Sequence, residues 1–167
     1  MTYWRRRATL IYIFSERIDK GLVVMTTAQE LRDKLDEARA RLRTVIQENS
    51  ESWEMGEDDN WGVRKIAEHT IDNENYFANA VASAMDARAV DPIAVNAATP
   101  EHALDLFAQV EKDTNRVYGY IEDGDIKKPA DILLGQGFEP TIGGAVDFAI
   151  WHILDHMKQI EALAQVD

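Results

Sequence analysis

The sequence contains no cysteine, which excludes disulfides, thiolate metal ligands and a cysteine nucleophile. Any metal would have to be held by nitrogen and oxygen, and any thiol chemistry would need a thiol from outside the chain. Proline is scarce, with four in 167 residues, so little interrupts helix formation. Positive charge is also short: Lys and Arg number 18 against 30 Asp and Glu, for a net charge of −12. Residues 1–24 hold a small basic surplus, which leaves about −15 on the remainder. So acidic a surface repels phosphate backbones and anionic lipid, and the expectation is that neither nucleic acid nor membrane is a partner.

No apolar run is long enough to span a bilayer. The longest candidate near the start, Ala8 to Phe14, follows Arg5, Arg6 and Arg7 in the manner of an export signal. Ser15, Glu16 and Arg17 stand where signal cleavage would need small residues, so export is rejected and a cytoplasmic location is expected. Residues 1–24 read as an N-terminal extension, with Met25 as the expected true start of a single domain over 25–167. The length suits one domain with a sizeable core.

What is present is helical periodicity. Thr27 and Glu30 make a capping box, followed by Leu31, Leu35, Ala38, Leu42 and Val45 as a buried stripe. The segment ENSESWEMGEDD, Glu48 to Asp59, carries six carboxylates and reads as a solvated connector without the ligand rhythm of a calcium loop. A second helix is predicted from Trp61 to Met85, capped by Asn60, with Ile66, His69, Asn73, Phe77, Ala80 and Ala84 on its inward stripe. The thirteen residues from Asp86 to Ala98 could stretch to roughly 40 Å, enough to return along a bundle and leave the second and third helices parallel.

Thr99 and Pro100 open the third helix, whose stripe is Leu104, Phe107, Thr114, Val117 and Ile121 and whose stop is Asp123 and Gly124. A long loop rich in glycine and proline follows. The fourth helix, about Gly144 to Ala164, buries Val146, Ile150, Ile153, Met157 and Ile160. No β-hairpin signal is read. The predicted fold class is all-α, a four-helix bundle.

Four histidines occur, and three share inward faces. His152 and His156 sit four apart on the fourth helix, one turn from each other, and His69 lies on the second. His102, in the first turn of the third helix, reads as an exposed bystander. A buried polar face can be satisfied by hydrogen bonds to the core or by ligating an ion, and an HxxxH pair by itself leaves both readings open.

The segment WGVRKIAEH, Trp61 to His69, followed by WHILDHMKQI, Trp151 to Ile160, resembles the DinB/YfiT-like superfamily of metal-dependent enzymes. The resemblance covers nearly everything after Met25 and implies an up-down-down-up bundle. It also implies a divalent metal, Zn, Ni, Fe or Mn, on His69, His152 and His156, and a transferase using a low-molecular-weight thiol and a small-molecule substrate. Asn73, Asp72 and Asp155 are candidates to orient the rings. Two other functions remain open: a metal-dependent hydrolase, and a non-catalytic stress-response protein that binds a metal or small molecule. The resemblance leaves room for a homodimer, although no self-complementary seam is visible.

Overall fold

The computed structural model describes residues 26–163, so the expected extension over 1–24 lies outside the described residues. Four helices carry the architecture: α1 (Ala28–Glu48), α2 (Val63–Ala84), α3 (Pro100–Tyr118) and α4 (Ile142–Leu163). Helix α1 starts where its capping box predicts. The Glu30 amide donates to Thr27 Oγ1 at 3.1 Å, and the Thr27 amide donates to Glu30 Oε2 at 2.9 Å. Its predicted stripe, Leu31, Leu35, Ala38, Leu42 and Val45, is buried throughout.

The acidic connector is more ordered than its composition suggests. After a short 3₁₀ turn at Ser50–Ser52, strands β1 (Gly56–Glu57) and β2 (Asn60–Trp61) pair antiparallel. The connector is largely exposed, as expected, and the pairing corrects only the reading that found no hairpin; its cause is a backbone feature. Gly56 has φ +69°, and a Cβ there would lie 2.1 Å from the Gly62 amide nitrogen, so the tight return tolerates only glycine. The hairpin also replaces the expected Asn60 cap. Gly62 occupies the N-cap with no side-chain bond, and the Glu54 carbonyl accepts from the Arg64 amide at 2.9 Å. Trp61 consequently belongs to β2.

Helix α2 ends in a Schellman motif with Asp86 at φ 53°. The Ala87 amide donates to the Ala82 carbonyl at 2.8 Å, and the Asp86 amide to the Ser83 carbonyl at 3.3 Å. The chain then returns along α2, as its reach allows. Asn79 bonds both backbone groups of Val90, at 2.7 and 3.0 Å, and Glu68 accepts from the Ala97 amide at 2.6 Å. Thr99 caps α3 with Pro100 in the first turn, and Gly119 ends the helix four residues before the expected Asp123 stop.

Helix α3 therefore starts at the same end of the bundle as α2 and runs parallel to it. Arg43 pairs with Glu111, and Arg32 Nη1 donates to the Ile121 carbonyl at 2.8 Å, so α1 and α3 are antiparallel. In α2 and α4, His69 lies near His156 while Phe77 lies near Phe148, so these helices are antiparallel too. The result is an up-down-down-up bundle in which α1 packs on α4, α4 on α2, and α2 on α3.

The long α3–α4 loop closes one end. Asp123 accepts from the Ala28 amide at 2.8 Å, which satisfies a free donor at the start of α1. A Cβ on Gly144 would lie 1.9 Å from the Glu139 carbonyl oxygen, so the loop backbone lies directly on the first turn of α4.

At the centre of this frame lies a charge network that the periodic reading missed. Arg39 is 0% exposed and Glu74 1% exposed. The guanidinium forks onto Glu74 Oε2 and also donates to Thr114 Oγ1 at 2.9 Å and Asn115 Oδ1 at 2.7 Å. It lies over the Tyr118 ring, 5.4 Å from the centroid. Helices α1, α2 and α3 thus meet on one cation. Breaking the pair leaves an uncompensated buried charge, so Glu74→Ala is expected to lower unfolding stability by about 3–5 kcal/mol in urea titration. The paired Arg39→Met/Glu74→Leu variant should lose much less.

Candidate metal centre

The three inward histidines converge in the seam between α2 and α4. One ring nitrogen from each of His69, His152 and His156 lies within 4.8 Å of the others. Ring centroids are 5.0 Å apart for His69 and His156, 5.3 Å for His69 and His152, and 4.3 Å for His152 and His156. His102 is exposed on α3 and takes no part, as its position in the first turn of that helix predicts. One detail of the predicted stripe changes. The buried face of α2 runs through Ala67, Ile71, Glu74, Ala78 and Val81, whereas His69, Asn73, Ala80 and Ala84 are only half-buried. The histidine stripe borders α4, beside the core.

Side chains around the rings set their orientation. The Asn73 amide nitrogen donates to the His69 carbonyl at 2.7 Å and lies 3.2 and 3.3 Å from the two ring nitrogens, against the edge between them. Trp61 meets His69 edge-on at 5.0 Å, and Phe77 meets His152 at 5.3 Å. The hairpin therefore brings Trp61 to the site, a role that its place beyond the helix start concealed.

His156 is fixed through a relay. Gln159 Nε2 donates to Asp155 Oδ2 at 2.8 Å, which turns its amide oxygen toward His156 Nδ1 at 3.2 Å. An amide oxygen only accepts, so Nδ1 of His156 carries the proton and its Nε2 holds the free lone pair. That Nε2 lies 3.1 Å from Nε2 of His152. Asp155, a candidate for orienting the rings, acts on His156 through Gln159. The spacing of Gln159, three residues after His156 and four after Asp155, is the signal by which it could have been found.

The electrostatics keep the rings neutral. Burial lowers the His69 pKa, and His156 lowers it further, against the opposing pull of Asp72. His152 is pushed down to about 3 by burial and then by its two neighbours. Burial also lowers His156, while Gln159 and Asp155 act in the other direction. Neutral imidazoles offer lone pairs, as metal ligation requires. The buried Nδ1 of His152 has no hydrogen-bond partner. A proton on Nε2 of His152 would satisfy both facing Nε2 atoms and leave its Nδ1 without a partner, and the three rings are also close enough to share one cation. The donor set, three neutral nitrogens with no fourth protein ligand among the described residues, suits a divalent transition metal with open positions.

The lowered pKa values have a direct consequence for the chelator-treated protein. The unfolded chain titrates these rings near 6.5 and the folded one lower, so unfolding takes up protons between about pH 3 and 6.5. Stability from this source is present above pH 6.5 and falls as pH falls through that window. Urea midpoints measured from pH 7.5 to 5 should decline, and His152→Leu should flatten the decline.

No helix among the described residues is long and apolar enough to cross a membrane. Comparison with protein-family models, with curated proteins and with solved structures gives no match, so the meaning of the centre rests on its own geometry and donor chemistry.

Proposed function

We propose that the chain is a metal-dependent enzyme of the DinB-like type, which transfers a low-molecular-weight thiol to an electrophilic small molecule in the cytoplasm. The observation that carries this reading is the convergence of three imidazole nitrogens, from helices far apart in sequence, within 4.8 Å. A divalent ion on these nitrogens would act as a Lewis acid and lower the pKa of an incoming thiol or water. The protein's part is to hold the rings neutral and oriented. Asn73 positions His69, the Gln159–Asp155 relay sets the His156 tautomer, and Trp61 and Phe77 pack edge-on against His69 and His152. The chain has no thiol of its own, so a thiol nucleophile would have to enter as a cosubstrate. The family resemblance supports that assignment over hydrolysis.

Metal analysis of protein purified without tag or chelator should find a divalent transition metal. Its content should fall sharply in His69→Ala, His152→Ala and His156→Ala, and stay unchanged in His102→Ala. Equal occupancy in all four variants would refute the site. Because Gln159 orients a ligand ring from outside, Gln159→Ala should weaken metal affinity by about 10–100-fold in competition with a chromophoric chelator.

Thiol dependence is read separately. With a model electrophile, conjugation should require an added thiol and an intact His152. Hydrolysis that proceeds equally without thiol would replace the transferase reading with the hydrolase one.

A further inference from the structure

Six of the ten aromatic side chains among the described residues form one connected series with the three histidines. From His152 the series continues along the α2–α4 seam through Phe77 and Phe148, 5.3 and 6.5 Å away between ring centroids. It ends at the surface in Tyr76, Trp151 and the loop residue Phe138. A packing role explains Phe77, which is 3% exposed. It does not explain Trp151 and Tyr76, which leave 43% and 49% of their surfaces in solvent. Trp151 lies nearly parallel to Phe148, at 18° and 5.4 Å, so one indole face is supported from below. Phe138 meets Phe148 at 4.9 Å and brings the α3–α4 loop to the same place.

Charge narrows what such a shelf would accept. Apart from Glu74, which is buried against Arg39, the charged residues within one turn of Tyr76 and Trp151 on their own helices are Asp72, Asp147 and Asp155. All three are acidic, and none could hold a carboxylate or phosphate; the cation that faces them from α1, Lys34, acts on Asp147. We propose that the aromatic shelf formed by Tyr76, Phe138, Phe148 and Trp151 is the acceptor subsite beside the histidine centre, and that it takes a planar aromatic molecule bearing no negative charge. The proposal rests on the metal-enzyme reading for its place in a reaction, while the shelf itself is a separate physical object. Supported aromatic faces bind flat rings through offset or edge contacts, and the surrounding carboxylates repel anions without hindering neutral or cationic rings.

Three unreactive probes of one shape test this: 2-naphthylmethanol, 2-naphthylmethylamine as its cation, and 2-naphthoate. Binding to the full chain is measured by equilibrium dialysis, with metal content and thermal midpoint measured on the same samples. The alcohol and the amine should bind and the naphthoate more weakly. Trp151→Ala and Tyr76→Ala, both at exposed positions, should each weaken binding of the alcohol roughly threefold to tenfold, the scale of one aromatic pair, at unchanged metal content. Unaltered binding in both variants, or naphthoate binding as tightly as the alcohol, overturns the shelf. If wild-type protein carries no metal yet binds the alcohol in a Trp151-dependent way, the shelf stands and the metal reading falls. If it carries metal and binds no probe, the shelf falls alone.

Discussion

The buried pair of Arg39 and Glu74 is the constraint on which the rest of the bundle depends. An apolar stripe tolerates small rotations of a helix, but a charge with no access to water does not. Glu74 must face Arg39, and Arg39 must also reach Thr114 and Asn115 on α3. These bonds fix the rotation and height of three helices at once. His69 precedes Glu74 by five residues, which turns it about 140° around the α2 axis, out of the charged centre and toward α4. The position of the histidine centre therefore follows from the register set by the ion pair.

The second organising feature is economy of charge at the centre itself. Each carboxylate associated with the rings acts from a distance: Asp72 through its field on His69, Asp155 through the amide of Gln159. The rings stay neutral because burial and mutual proximity outweigh these carboxylates. An acidic protein has thus assembled a cluster of neutral nitrogen donors, and the geometry that joins them places the Nε2 atoms of His152 and His156 face to face.

Much of this was legible in the sequence because it depends on periodicity and on caps, which are local. Thr27 with Glu30 and Thr99 with Pro100 start their helices as read, the α1 stripe is buried in full, and the length of the α2–α3 linker forecasts its return path. The HxxxH spacing and His69 identified the residues that meet. What escaped was non-local or set by backbone geometry. Arg39 and Glu74 look like ordinary solvated charges on amphipathic helices, since only their mutual position makes burial affordable. The hairpin depends on Gly56 adopting a positive φ, and Trp61 becomes part of the site only because that hairpin folds back. Asn73 was legible as a neighbour of His69; Gln159 needed the structure to show which way its amide faces.

The distribution of the three histidines along the chain bears on the order in which the molecule assembles. His69 and His152 are separated by more than 80 residues, and α4 is the last of the four helices to be made. Closing so long a loop carries an entropic cost before any contact compensates it. The α2–α3 pair can form from nearer segments, whereas the histidine centre exists only once α4 has docked. A ligand selective for the completed centre would clasp one of the long-range junctions that α4 makes, and its free concentration would set how often that junction opens. The final helix is then both the carrier of two of the three ligands and the latch that this ligand holds shut.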